Sequence, residues 1–377
     1  MLIQAMNYEN LIPIFITAMS YCTPLALDIV PHVLIKVLGG GNKPKLDQRM
    51  GTVSPWFTNL ASFAGQFYRS QHTVTLEGLL RVIAQDVRNG DIFQFLVLQQ
   101  VLAKMSGWEE PSQLTESQLK CSTAGMKLRL ESVEQTQYFR GAKKSGEDLI
   151  SALRRPCEGY KTAATELLVL SAGKAREVLQ RLETSHVKLL GMFYDQLQSA
   201  FGEICEFLQF HTQSPTELGT FLPTNSIKTL LQMEGMQVEQ VMHMCRPAYR
   251  LQDLSSVKDQ LDGFNDSVPL EFYSLFWLLS VQDIENSSAY YETAVETITK
   301  EMNDSNPAKQ VKTKKELHRM SVCKEEIEQE NRALQGRRGT AEEFLRAHVQ
   351  SLEGGKGLAA AIVQVNELFS AACFRGS

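Results

Sequence analysis

The chain has 377 residues, of which 43% are hydrophobic, and it carries 38 Lys or Arg against 43 Asp or Glu, a formal net charge of −5. This apolar content excludes a mostly disordered chain, and the slight acidic excess excludes a wholly basic nucleic-acid binder. The seven cysteines are too sparse for the disulfide framework of a small secreted protein. We therefore expect a globular protein in a reducing, intracellular compartment.

The most apolar stretch of the chain is residues 11–37. It lacks the basic residues that open a signal peptide, because the first Lys or Arg of the chain is Lys36. Pro24 and Pro31 divide the stretch into pieces shorter than a bilayer-spanning helix. The sequence therefore predicts a helical hairpin over residues 1–43, packed in a core, and no membrane association.

Apolar residues recur at three- and four-residue intervals along most of the chain, which predicts helices. This rhythm runs from Leu76 to Val87 and again from Phe93 to Leu102, with Asn89-Gly90 between them as a helix stop. Residues 177–210 show the same rhythm and predict one long helical stretch.

Capping patterns support helices independently of hydrophobicity. Ser214-Pro215-Thr216-Glu217 has the form of a capping box, and Thr23-Pro24 places proline at a first helical position. Sustained period-two alternation is almost absent. The predicted fold is therefore all-α, an α-solenoid-like array of helical hairpins followed by a long charged helix. The expected regions are the hairpin 1–43, a helical module 44–130, its continuation 131–254, and a C-terminal region 255–377 with the charged helix at 309–353.

Residues 309–338 differ from the rest of the chain in charge. They contain nine Lys or Arg and five Glu, a net charge of +4, which leaves −9 elsewhere. The segment is either a solvated charged helix with a narrow packing stripe or a basic helix that contacts phosphate or a partner helix. Four apolar residues on heptad a and d positions predict at most a weak coiled-coil seam, because Lys324 and Asn331 occupy the intervening a positions: Leu317, Met320, Ile327 and Leu334. The candidate nucleic-acid contacts are Lys309, Lys312, Lys314, Lys315, Arg319, Arg337 and Arg338.

Four aromatic residues lie close together at Phe272, Tyr273, Phe276 and Trp277. On a helix they would occupy consecutive faces, and a helix that is apolar on all sides is normally buried between neighbours. The second interpretation is a groove for a partner, since aromatic residues are enriched at the centres of interfaces.

No catalytic motif is found in the sequence, which contains neither CxxC nor HExxH nor GxSxG. Two loose pairs, Cys205 with His211 and His243 with Cys245, lack the spacing of a zinc site. We therefore expect no enzymatic activity, no cofactor and no metal. An all-α enzyme whose site is assembled from distant residues stays open as an alternative.

Several short sequence motifs occur over residues 15–335, and their order along the chain carries a resemblance to a known family. They are Thr23-Pro24-Leu25-Ala26-Leu27-Asp28, Leu60-Ala61-Ser62-Phe63-Ala64-Gly65, Leu79-Leu80, Phe95-Leu96-Val97-Leu98, Lys104-Met105-Ser106-Gly107, Phe193-Tyr194-Asp195-Gln196, Cys245-Arg246-Pro247-Ala248-Tyr249, Phe272-Tyr273, Phe276-Trp277 and Asp283-Ile284. In this order they resemble the central to C-terminal region of the THO complex subunit 2 family, the large scaffold subunits of the THO/TREX assembly for messenger RNA export.

The resemblance implies a nuclear, non-enzymatic α-solenoid scaffold that couples transcription to mRNA processing and export. Its implied partners are the other THO subunits, a DEAD-box RNA helicase of the export machinery and, weakly, RNA or RNA–DNA hybrids. It also implies that residues 44–130 correspond to the helical module of the family, that residues 255–377 begin its C-terminal domain, and that the chain is one part of a longer scaffold. The alternative is an α-solenoid adaptor of another transport or coat assembly.

Overall fold

The structure, a computed structural model, divides by its contacts into two compact units. Unit 1 comprises Met1–Glu109 with Gln137–Ala248, and unit 2 comprises Glu110–Thr136 with Tyr249–Ser377. The residues it describes are 2–40, 43–47, 52–106, 115–116, 119, 121, 124–133, 137–157, 159–181, 187–212, 215–221, 236–245, 288–303, 314–336, 338–339, 342–343 and 346–347. The four regions expected from the sequence were based on sequence patterns and not on contacts. Their boundaries therefore stay predictions.

Helices dominate the described residues and confirm the predicted all-α class. In chain order they are α1 (Leu2–Asn7), α2 (Ile12–Met19), α3 (Pro24–Gly39), α4 (Pro55–Ser70), α5 (Glu77–Arg88), α6 (Gln94–Ser106), α7 (Met126–Val133), α8 (Gln137–Leu153), α9 (Ala163–Arg181), α10 (Val187–His211), α11 (Pro215–Phe221), α12 (Val238–Cys245), α13 (Ser288–Asn303) and α14 (residues 314–336). Helices α7, α13 and α14 lie in unit 2 and the others in unit 1. The arrangement of these helices as a solenoid stays a prediction.

A short 3-10 turn and a small ribbon complete the described elements of unit 1. The turn, Glu9–Leu11, joins α1 to α2. Strands β1 (Leu46–Asp47) and β2 (Thr52–Val53) pair antiparallel, with Leu46 opposite Val53. Two residues per strand are too few to produce an alternating pattern, so this ribbon could not be predicted from the sequence. No helix in the described ranges is long and apolar enough to cross a membrane.

Helix α4 packs against α6 at the centre of unit 1. Gly65 permits this close approach, because a Cβ atom at residue 65 would lie 2.4 Å from the backbone oxygen of Gln100. On both sides of Gly65, Phe63 and Phe67 are fully buried and their rings stack 6.1 Å apart. The sequence motif at residues 60–65 is therefore a helix-packing surface.

Helices α5 and α6 confirm the predicted pair. Helix α5 ends at Arg88, and Gly90 follows with a φ of +99°, a conformation that glycine adopts readily and other residues rarely adopt. The buried face of α5 keeps the predicted three- and four-residue spacing: Leu79, Leu80, Ile83, Ala84 and Val87.

The start of α3 also matches its prediction, but Pro31 does not. The Thr23 hydroxyl accepts a hydrogen bond from the backbone N–H of Ala26, and Pro24 is the first helical residue. Pro31 was expected to divide this stretch, yet it lies inside α3. Because Leu27, Leu34 and Leu38 bury one side of the helix on both sides of the proline, packing offsets the missing backbone hydrogen bond.

The single long helix predicted for residues 177–210 is wrong. Helix α9 ends at Arg181 and a separate helix, α10, begins at Val187. The two helices pack against each other. Apolar periodicity continued through both helices in the sequence, and periodicity alone does not mark where a chain turns back.

The predicted capping box at residues 214–217 lies only partly within the described residues, and it stays a prediction. Helix α11 begins at Pro215 as predicted, while Ser214 lies outside the described residues. Glu217 forms an ion pair with Arg154, 2.5 Å away, near the end of α8. The carboxylate therefore ties α11 to a helix distant in the sequence.

A buried carboxylate links α5 to α9. Glu166 is almost fully buried, and its Oε1 lies 2.6 Å from Nη2 of Arg88. Its other oxygen accepts a hydrogen bond from the Cys157 thiol, and the Arg88 guanidinium lies over the ring of Tyr160. A buried charge needs such partners, so this cluster holds the connection between α8 and α9 against α5.

Candidate functional site

Helix α14 lies in unit 2 and contains most of the described candidate contacts. Its apolar stripe packs against α7 and α13 in a core of six buried residues: Ala124, Leu128, Tyr291, Ile298, Ile327 and Leu334. Met320 and Cys323 are half-buried at the edge of this core. The predicted heptad positions Met320, Ile327 and Leu334 therefore pack within the chain, as the packing-stripe interpretation requires.

A hydrogen bond fixes the residue just before α7 against α13. The backbone N–H of Gly125 donates to the hydroxyl of Tyr291 at 2.8 Å, and the pair is buried. A Cβ atom at residue 125 would lie 1.9 Å from Oε1 of Glu330 and 2.6 Å from the Tyr291 hydroxyl. Glycine is thus needed here for space, since α13 and α14 both approach the backbone at this point.

Two ionic contacts join α7 to α14. Arg319 Nη1 lies 3.4 Å from Oε2 of Glu131, and its Nε donates to Glu316 Oε1 at 3.0 Å. Lys127 lies 3.2 Å from Glu326. The Arg319 side chain is half-buried between two carboxylates, so the structure gives it a structural role in unit 2.

Burial around Glu131 shifts two neighbouring pKa values. Burial raises the pKa of Glu131 above its usual value, although the positive charge of Arg319 opposes the shift. The Cys323 thiol lies 3.6 Å from Glu131 Oε2, and burial together with that carboxylate raises the pKa of Cys323 to about 11. Cys323 is therefore a protonated thiol at neutral pH and a poor nucleophile.

Charge is segregated along α14. Residues 314–324 contain four Lys or Arg and one Glu, whereas residues 325–336 contain one Arg and four Glu. The described helix has no net charge, and the excess of +4 in residues 309–338 comes from the basic residues on either side of it. A polyanion would thus be attracted to the 314–324 half and repelled by the other half.

The predicted contacts fall into three groups. Lys314 and Lys315 are exposed, and Arg319 is paired as described above. Arg338 is half-exposed and lines a cavity of about 260 Å³ with Ser288, Asn331, Leu334, Gln335, Gly339 and Glu342. Outside the described residues lie Lys309, Lys312, Arg337, Phe272, Tyr273, Phe276 and Trp277. The proposed nucleic-acid and partner contacts of these residues stay predictions.

Sequence reasoning missed Glu131, the residue that holds Arg319. The two residues are separated by 188 positions in the chain, and no motif surrounds Glu131. The one feature that could have indicated it is that Glu131 is the single acidic residue of a helical segment with two basic residues, 126–133.

The described residues include no group of three or more His, Cys, Asp or Glu that could hold a metal ion. Cys205 is buried in α10, the ring of His211 lies 4.3 Å from that of Phe207, and His243 lies 6.1 Å from Phe201. These contacts are typical of helix packing. The expectation of no enzymatic activity stays a prediction.

Two family models match the ends of the chain. Residues 1–61 match the family described as "Transcription- and export-related complex subunit", and residues 265–374 match "Transcription factor/nuclear export subunit protein 2". The first match covers α1 to α3 and reaches into α4.

Curated relatives cover most of the chain between these ends. THO complex subunit 2 from Dasypus novemcinctus is 25% identical over 369 residues, 87% of this chain and 22% of the relative. The Homo sapiens protein of the same name is 26% identical over 336 residues, 79% of this chain and 20% of the relative. The Arabidopsis thaliana protein of that name is 23% identical over 250 residues, 65% of this chain and 13% of the relative.

The chain thus spans about a fifth of the length of the first two relatives. Both kinds of comparison agree with the resemblance that the ordered sequence motifs predicted. The chain is therefore similar to THO complex subunit 2 along most of its length.

Proposed function

We propose that this chain is a non-enzymatic scaffold segment of a nuclear THO assembly, which couples transcription to mRNA processing and export. Its partners in this role are the other THO subunits and a DEAD-box RNA helicase. The main support is the ordered match to THO complex subunit 2 over 87% of the chain. The helical architecture supports the same role, because stacked helices offer long surfaces for protein partners.

Co-purification from nuclear extract tests the scaffold role. We expect the tagged chain to recover other THO subunits from nuclear extract, and the helicase at lower yield. The same tagged chain in cytoplasmic extract is the matched control. Recovery of coat or transport proteins in place of THO subunits would contradict the proposal and favour the adaptor alternative.

We propose in addition that the basic half of α14 and the residues just before it bind RNA weakly. Lys314 and Lys315 are exposed, and Lys309 and Lys312 precede them in the sequence. Arg319 is excluded from this set because Glu131 and Glu316 already pair with it. Contacts to phosphate release counterions, so the affinity should fall with salt and show little sequence preference.

A matched pair of double variants tests this RNA contact. Lys314→Ala/Lys315→Ala removes two charges from the basic half, and Lys300→Ala/Arg332→Ala removes two exposed charges elsewhere in unit 2. We expect the first variant to lower the slope of log affinity against log salt by about 1.4 for single-stranded RNA. The second variant should change it little. Equal losses from both variants in a fluorescence-anisotropy titration would show that net charge alone matters and would contradict a local contact.

A further inference from the structure

Asn89 and Gly90 lie in the connection between α5 and α6, and both are exposed. Among the asparagines of the sequence, Asn89 alone precedes a glycine. The asparagine side chain is chemically labile, because the backbone nitrogen of the next residue can attack its amide carbon. Glycine has no Cβ atom to hinder this attack, and a Cβ atom built at residue 90 would meet nothing within 4 Å. The pair therefore combines a labile amide with an unhindered neighbour in contact with water.

The attacking nitrogen is held by a hydrogen bond in the folded chain. The Gly90 N–H donates to the Val87 carbonyl oxygen at 2.9 Å, and the Asp91 N–H donates to the Asp86 carbonyl oxygen at 2.9 Å. Gly90 must therefore separate from Val87 before its nitrogen can react. Exposed helix ends open at a lower free-energy cost than the core does. The opening of the last turn of α5 thus sets how often the nitrogen becomes available.

We infer that Asn89 is a deamidation site, and that its reaction loosens the packing of α5 against α6. The Gly90 nitrogen loses its proton to hydroxide and forms a bond to Cγ of Asn89. The Cγ–Nδ2 bond breaks, the leaving nitrogen takes a proton from water, and ammonia departs. Water then opens the cyclic imide at either carbonyl, which gives aspartate or isoaspartate. This chemistry needs no partner protein, so it can fail or hold independently of the scaffold proposal.

The product places a negative charge at an unfavourable position. Residue 89 follows the end of α5, where the backbone dipole already concentrates partial negative charge. Burial, and after it the charge of Asp91, raises the pKa of Asp86, while Lys45 pairs with Asp91. A further carboxylate therefore adds repulsion to this group. Isoaspartate also adds a methylene group to the backbone after residue 89, which displaces Gly90 from its hydrogen bond.

Peptide mass spectrometry of the whole chain, incubated at alkaline pH, tests the site. The peptide that contains Asn89 should gain about 1 Da, because a hydroxyl group replaces the amide nitrogen. The peptide that contains Asn59 should keep its mass. Asn59 is the internal control, since its side chain donates to the Met6 carbonyl at 3.0 Å and Leu60 follows it within α4. Asn89→Gln should abolish the gain at residue 89.

The same incubation in guanidinium chloride tests the role of the helix end. Unfolding frees the Gly90 N–H from Val87, so Asn89 should react faster there than in the folded chain. Equal rates in both conditions would contradict control by local opening. If Asn89 kept its mass in the folded chain, or reacted no faster than Asn59, the inference would be overturned.

Asn89→Asp reproduces the aspartate product and tests the effect on packing. We expect this variant to raise the equilibrium constant for unfolding by about threefold. Hydrogen exchange should become faster in the peptides of α5 and α6, which pack against each other. Thr58→Asp adds the same charge at an exposed residue near the start of α4, where the dipole favours it, so this matched control should lose no stability. Equal stability of Asn89→Asp and the unmodified chain would contradict the loosening.

Discussion

The central helix contacts of the two units differ in kind. In unit 1 the central contact is steric: α4 and α6 approach so closely that only a glycine fits at residue 65. In unit 2 the core is small, and polar contacts from Tyr291, Arg319 and Lys127 join its helices. We therefore expect the α4–α6 contact to be sensitive to added volume, whereas the small core of unit 2, which also needs a glycine at residue 125, should be sensitive to the loss of single polar groups.

The largest effect is expected from added volume in unit 1. Gly65→Ala places a methyl group against the backbone of Gln100, which cannot move away without separating α4 from α6. We expect a loss of about 3 kcal/mol in the free energy of unfolding. Hydrogen exchange followed by mass spectrometry should show faster exchange in the peptides of α4 and α6.

The control for this variant is Gly202→Ala in α10, where a Cβ atom meets nothing within 4 Å. Alanine is the better helix former, so this substitution should stabilise unit 1 by up to about 1 kcal/mol. If Gly65→Ala were as harmless as Gly202→Ala, the steric account of unit 1 would be wrong.

A smaller effect is expected from the loss of one hydroxyl in unit 2. Tyr291→Phe removes the acceptor for the buried N–H of Gly125 while it keeps the ring in the core. We expect a loss of about 1.5 kcal/mol, since an unsatisfied buried donor retains its desolvation cost. Faster hydrogen exchange at the start of α7 would report this loss of stability. Tyr290→Phe, at a half-buried residue beside the same core, is the matched control and should change little.

The smallest effect is a pH dependence that originates at Glu131. Because burial raises the pKa of this carboxyl in the folded state, the folded protein holds the proton more tightly than the unfolded chain does. The contribution of Glu131 is therefore most favourable below the unfolded pKa and is lost as pH rises through the folded pKa. Glu131→Gln cannot titrate, so the stability of the unmodified chain relative to this variant should increase as pH falls from 7 to about 4.5. Urea titrations of both proteins at the two pH values measure it, and an opposite trend would show that Arg319 dominates.

Local signals predicted much of the helical structure. The apolar rhythm and Asn89-Gly90 placed α5, and Thr23-Pro24 placed the start of α3. These signals work because caps and faces depend on residues a few positions apart. They did not reveal the separation of α9 from α10 or the tolerance of Pro31, which depend on tertiary packing.

The candidate site was predicted less completely than the helices, for the same physical reason. The positive charge at Lys314 and Lys315 is visible in composition, but the pairing of Arg319 with Glu131 joins segments 188 residues apart. Likewise, Leu25 read as a core residue in the sequence because it is apolar, and only the structure shows its exposure. The sequence shows the chemical type of each side chain, whereas the residues that this side chain contacts depend on the fold.

The segregation of charge along α14 affects the stability of the helix itself. Backbone dipoles place partial positive charge at the N-terminal end of a helix and partial negative charge at the C-terminal end. The side chains of α14 repeat that polarity, since the basic half comes first and the acidic half second. The two fields add, so the sequence opposes its own helix electrostatically. We therefore expect residues 314–336 to be less helical as an excised peptide than in unit 2, where the core contacts of α14 offset this electrostatic cost.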